Sequence, residues 1–160
     1  MHHHLITTLT LLTLSHTALT LKLPARQTPN LWHISDSYIG CDPTVGCSYQ
    51  FHVLGDDTGQ LPYFEADCIQ NVPIGDTALQ QCNLVGAGSQ FGLSVDGVYA
   101  SGEFYPGNQV GSRVVVQLEF SDARRGTREF WQASQDGTYQ TFSRDLGDYD
   151  VIPLQAAAVA

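Results

Sequence analysis

Positive charge is the scarcest property of this chain. Its 160 residues contain one lysine, Lys22, and beyond Arg26 only Arg113, Arg124, Arg125, Arg128 and Arg144 stand against all 16 acidic residues, a formal charge of −11. A domain so acidic is repelled by nucleic acid and by anionic membranes, which excludes both as expected partners. Sustained helical periodicity is missing beyond the N-terminal segment, which argues against a helical bundle. Asn30, Asn71, Asn83 and Asn108 all lack a hydroxyl residue two places on, so there is no N-glycosylation sequon. No repeat, low-complexity stretch or G-x-S-x-G elbow is present either.

What is present begins with Met1 to His4 followed by LITTLTLLTLSHTALT, apolar, uncharged until Lys22 and too short to span a bilayer. That pattern predicts a secretory signal within residues 1–20, with Ala18 as the candidate last residue before cleavage. Residues 21–30, LKLPARQTPN, carry two prolines and read as a short propeptide or flexible lead-in, with Arg26-Gln27 as its processing bond. The β domain is expected over residues 31–154 and a loose tail over 155–160. No cofactor is called for.

Strand signals fill the middle of the chain. Cys47, Tyr49, Phe51 and Val53 share one face of a strand, and Phe64, Ala66 and Cys68 share one face of the next, with the turn-forming stretch Gly55 to Gln60 between them. Leu31 to Ile39 reads as a first strand whose pattern breaks at Ser35-Asp36-Ser37. Phe91, Leu93 and Val95 alternate up to Asp96-Gly97, which predicts a tight turn and a second hairpin returning through Val98 to Phe104. Val114, Val116, Leu118 and Phe120 form the strongest alternation. Strands are further expected at Glu129 to Ala133, at Thr138 to Phe142 after an Asp136-Gly137 turn, and at Tyr149 to Leu154, the last weakened by Pro153. Turn signals at about 8–12-residue spacing predict one antiparallel all-β domain, a sandwich or a barrel.

Four cysteines behind a signal imply two disulfides among Cys41, Cys47, Cys68 and Cys82. Pairing Cys41 with Cys47 and Cys68 with Cys82 is the sequence-local choice; pairing Cys47 with Cys68 across the first hairpin, and Cys41 with Cys82, is also open. Paired CxxC knuckles are absent, so zinc is not expected and no metal ligand is assigned.

No catalytic residue is assigned. Glu65 and Asp67 are two carboxylates on one strand face, and Glu103 with Glu119 is a second candidate pair across strands, but a glycosidase pair flanks a substrate cleft. His33 and His52 are the histidines beyond the signal, and Ser89 has no partner base by spacing. The candidate partner contacts are Arg124, Arg125 and Arg128 around Gly126, together with Tyr105.

Leu31-Trp32-His33-Ile34-Ser35, and Phe64-Glu65-Ala66-Asp67-Cys68 followed 14 residues later by Cys82, resemble the Alternaria major-allergen family of small secreted fungal proteins. Ala25-Arg26-Gln27 resembles the end of that family's pre-sequence, and the Cys-x5-Cys-x-Tyr-x-Phe pattern at 41–51 resembles small secreted proteins of filamentous fungi. The resemblance implies an extracellular β-sandwich or barrel without enzymatic activity, acting as an allergen, elicitor or ligand of host defence proteins. It also implies the Cys68 to Cys82 bridge, and so favours the local pairing. The chain departs from the family in having no cysteine before Trp32 and none after Cys82, so a monomer is expected. The expected function is a non-enzymatic secreted, effector-like or cell-surface protein that binds a host protein or cell-wall component through strand faces or the hairpin loops at 55–60, 105–112 and 122–128. A small carboxylate-dependent hydrolase, or a carrier of an apolar small molecule, is the alternative.

Overall fold

The computed structural model describes residues 30–88, 90–107, 111–143 and 147–160. The expected signal, the lead-in up to residue 29 with its Arg26-Gln27 bond, Ser89 and Arg144 lie outside the described residues.

Two five-stranded antiparallel sheets face each other. The strands are β1 (Trp32–Asp42), β2 (Gly46–Gly55), β3 (Phe64–Val72), β4 (Gln80–Gln81), β5 (Asn83–Ala87), β6 (Leu93–Glu103), β7 (Ser112–Asp122), β8 (Thr127–Gly137), β9 (Tyr149–Val151) and β10 (Leu154–Val159), with one short helix, α1 (Tyr139–Ser143). The first sheet runs β5-β3-β2-β1-β9 and the second β10-β8-β7-β6-β4. The arrangement is a sandwich and not a closed barrel.

Period-two alternation decides which side chains meet between the sheets. Tyr49, Phe51 and Val53 of β2 and Ala66 and Cys68 of β3 face Val98 and Ala100 of β6 and Val114, Val116, Leu118 and Phe120 of β7, all buried. Trp32 meets Phe64 edge-on, and Phe104 sits between Tyr49 and Phe142. A Cβ at Gly55 would collide with the Phe64 ring, so glycine at this position lets the aromatic close over the backbone.

Both local disulfides are present, Cys41 to Cys47 and Cys68 to Cys82. The observed register excludes the cross-hairpin rival: Cys47 lies opposite Val72, and Cys68 opposite Phe51.

Four sequence expectations need correction. Asp96-Gly97 is not a hairpin turn: β6 runs straight through it, and the extra residue is absorbed as a bulge between Val95 and Gly97 against β7. Thr138 to Phe142 is not a strand but the start and body of α1, where the Thr138 hydroxyl accepts the Thr141 N–H at 3.1 Å and Phe142 turns into the core. Tyr149 to Leu154 is two strands, because the chain passes from one sheet to the other at Ile152-Pro153, where proline has no ladder hydrogen to give. Residues 155–160 are not a loose tail, since Gln155 to Val159 pair with β8 from Trp131 back to Arg128. The break at Ser35 to Ser37 is a bulge in β1, with Asp36 at φ 52°.

Candidate functional site

Asp122 and Glu129 are the buried charged side chains among the described residues, 2% and 3% exposed, and the site is built around them. Their burial follows from strand phase. Val114, Val116, Leu118 and Phe120 point inward along β7, and the next inward position is Asp122; on β8, Glu129 faces Phe120 and Trp131 faces Leu118. Buried carboxylates are costly unless they are paired and hydrogen-bonded.

The β7–β8 turn supplies the partners. The backbone N–H groups of Arg125 and Gly126 donate to the Asp122 carbonyl at 3.2 and 2.8 Å, with Gly126 at φ 65° in the left-handed region that glycine adopts without strain. The Arg124 backbone N–H donates to Asp122 Oδ1 at 2.9 Å, and its guanidinium grips the same carboxylate through Nε and Nη2, each at 3.0 Å. These bonds from Arg124 hold the Asp122 carboxyl below its usual range. Arg125 bridges the two acids, with Nε 3.5 Å from Asp122 and Nη1 donating to Glu129 Oε1 at 2.9 Å. The other Glu129 oxygen accepts the Trp131 indole N–H at 3.1 Å and the Gln155 amide at 3.3 Å.

Around this cluster lies a cleft of about 500 Å³, walled on one side by Arg124, Arg125, Glu129, Trp131 and Gln155 and on the other by Gly59 and Gln60. The opposing loop is pinned by Leu61, 1% exposed, and closed by Thr58 donating to the Leu61 carbonyl at 3.2 Å. Two of the three expected binding loops, 55–60 and 122–128, therefore converge. The third does not: Leu93 at one end of β6 faces Asp122, whereas Glu103 at its other end faces Arg113 and leads to Tyr105. Tyr105 donates to Glu103 at 2.6 Å, a bond that raises the phenol pKa, and it takes no part in the cleft. Residues 108–110 of that loop lie outside the described residues.

Nor do the three expected arginines act together. Arg128 is on the outer face of its sheet, bonded to Glu119 at 2.8 Å and lying over the Phe130 ring. Glu119 pairs opposite Gly97 and Glu103 opposite Arg113, which puts these two acids about 20 Å apart along β6 and not in one pair. Glu65 and Asp67 do share a face, as expected, and His52 joins them, its Nδ1 at 2.9 Å from Asp67 and its Nε2 at 3.3 Å from Glu65. Tyr63 donates to Glu65 at 2.8 Å. This group lies on the outer face of the first sheet, where His52 and Asp67 line a smaller hollow of about 240 Å³. On the same face His33 binds Asp150 at 2.9 Å, which raises its pKa. Among the described residues no group of three or more His, Cys, Asp or Glu side chains is arranged to hold a metal ion.

Glu129 and Gln155 lie outside every expected loop, and Asp122 lies in one of them without being singled out. The usable signal was phase: an acid continuing the inward series of β7, and another two residues before an inward tryptophan. Compared with known proteins, the chain matches no family model, no curated protein and no solved structure.

Proposed function

We propose that this protein works outside the cell by binding a host or cell-wall partner, with the cleft between the 55–60 loop and the β7–β8 turn as its recognition site. The observation that carries this reading is the state of the two carboxylates. Acid–base cleavage of a glycosidic bond needs one carboxyl that holds a proton and one free to act as base or nucleophile. Asp122 is held in its ionised form by Arg124, and Glu129 spends both oxygens on Arg125, Trp131 and Gln155. Two acids locked this way serve to hold a turn, an indole and an amide in fixed positions, which is what a preorganised binding surface requires. The secretory leader, the two disulfides and the resemblance to secreted fungal allergens support the extracellular setting.

The test is retention of the purified chain on insoluble wall fractions and on immobilised host extracts, with Gln60→Ala and Gln155→Ala compared with the unaltered protein. Weakened retention in both variants at unchanged circular dichroism is expected. Retention indifferent to both, or a Glu129-dependent release of product from a substrate panel, overturns the reading.

A further inference from the structure

We infer that the ligand of this cleft is a neutral, polyhydroxylated one, a sugar unit of a glycan laid against Trp131; this deepens the binding reading and rests on it. Charge is the first argument. Asp122 and Glu129 are matched by Arg124 and Arg125, so the cleft is neutral in total within a strongly acidic chain. An anionic ligand is drawn by the exposed guanidiniums at the mouth but opposed by the acidic surface around it. A cationic one meets, at the mouth, the two guanidiniums, whose side chains are 46% and 65% exposed, while the carboxylates lie buried behind them. A neutral ligand bears neither penalty.

The polar groups on offer point the same way. Beyond their bonds to the acids, both guanidiniums have further N–H groups. The Gln155 amide gives its N–H to Glu129 and keeps its carbonyl oxygen as an acceptor, and Gln60 brings a second amide from across the cleft. Planar donors and acceptors of this type match vicinal hydroxyls, which both give and take hydrogen bonds.

Trp131 adds to these. Its ring packs against the core, its N–H is tied to Glu129, and it lines the cleft, so it is a fixed apolar surface beside fixed polar groups. A pyranose ring has that same division, C–H groups on its faces and hydroxyls at its rim. The volume of about 500 Å³ is within the range of ligand sites.

Trp32 is buried in the core at 1% exposure, so a ligand-dependent change in tryptophan fluorescence reports on Trp131. The experiment titrates the full secreted chain with neutral gluco-, chito-, manno- and xylo-oligosaccharides, using oligouronates and oligolysine as charged controls, and repeats the best series by calorimetry on Gln60→Ala and Trp131→Phe. The expected result is saturable binding to at least one neutral series, weakened about tenfold in either variant, with weaker or no response to the charged controls. The series that binds distinguishes a fungal-type wall glycan from a plant-type one. Silence with every neutral series, or preference for uronates or oligolysine, overturns the inference. If wall or host retention still depends on Gln60 and Gln155 in that case, the cleft remains the binding site for another ligand; if it does not, both readings fall.

Discussion

At the scale of single residues, an ion pair matters here according to how deeply its acid is buried. Arg113 and Asp136 are joined side chain to side chain but are both more than half exposed, and water competes for each. Glu129 has no such alternative, because it is enclosed and its two oxygens serve three donors. Glu129→Ala is therefore expected to cost about 3 kcal/mol in chemical denaturation and to perturb the Trp131 emission. Arg113→Ala should leave the midpoint within experimental error. Equal losses in the two variants would refute this ordering.

Titration sets a second residue-scale expectation. Asp122 has a lowered pKa through its bonds to Arg124, so the stability it contributes is present above the ordinary carboxylate value of 3.8 and is lost as pH falls through the lowered one. His33 has a raised pKa, first through its bond to Asp150, so its contribution is present below 6.5 and is lost as pH rises through the raised value. Melting temperature should then be highest between about pH 4 and 6.5 and decline on both sides. His33→Gln should flatten the alkaline side alone, as read from thermal melts across pH; an unchanged alkaline slope would dismiss the His33–Asp150 pair as its source.

At the scale of elements, each disulfide does what its place in the topology allows. Cys68 to Cys82 spans 14 residues and ties β3 of one sheet to the point where the chain leaves β4 of the other, whereas Cys41 to Cys47 spans 6 and joins residues already opposite in the β1–β2 ladder. Loop-entropy reasoning puts the longer bridge at roughly 3 kcal/mol and the shorter nearer 2. Replacing Cys68 and Cys82 by serine should accordingly lower the denaturation midpoint more than the same change at Cys41 and Cys47.

β10 contributes through its backbone. Its side chains are exposed, yet it covers the edge of β8 and brings Gln155 to Glu129. Deleting residues 154–160 should cost at least about 1.5 kcal/mol and weaken whatever the cleft binds. A truncated chain with unaltered stability and binding would assign β10 no part in the site. Composition hid this strand: Gln155 to Ala160 has no alternation to read, and it becomes a strand only because β8 presents an unpaired edge. Asp96-Gly97 misled in the opposite way, because a turn-favouring pair inside a strand is held extended by ten residues of pairing with β7.

For the molecule as a whole, 16 acidic residues against one lysine and six arginines make the surrounding field negative. The cleft departs from that field, as a place where two arginines and two acids cancel. No property of the sequence summed over the chain predicts this, since Gly59 and Gln60 lie far along the chain from Arg124, Glu129 and Gln155 and meet them only across the sandwich.

Alternation along the chain was enough for the all-β class, for the inward faces of β2, β3 and β7 with Asp122 as the next inward position, and for most turns, because each follows from residues a few places apart. The same local order also placed arginines 124 and 125 on one turn. It took the packing of the two sheets to settle that residues 151 to 154 cross between them, that Gly59 and Gln60 come to wall the cleft at Glu129, and that Tyr105 stands apart from it. Those facts depend on which strand edges are left open, and on which loops overhang them, once both sheets have packed. Such long-range choices carry no local periodicity from which they could be read.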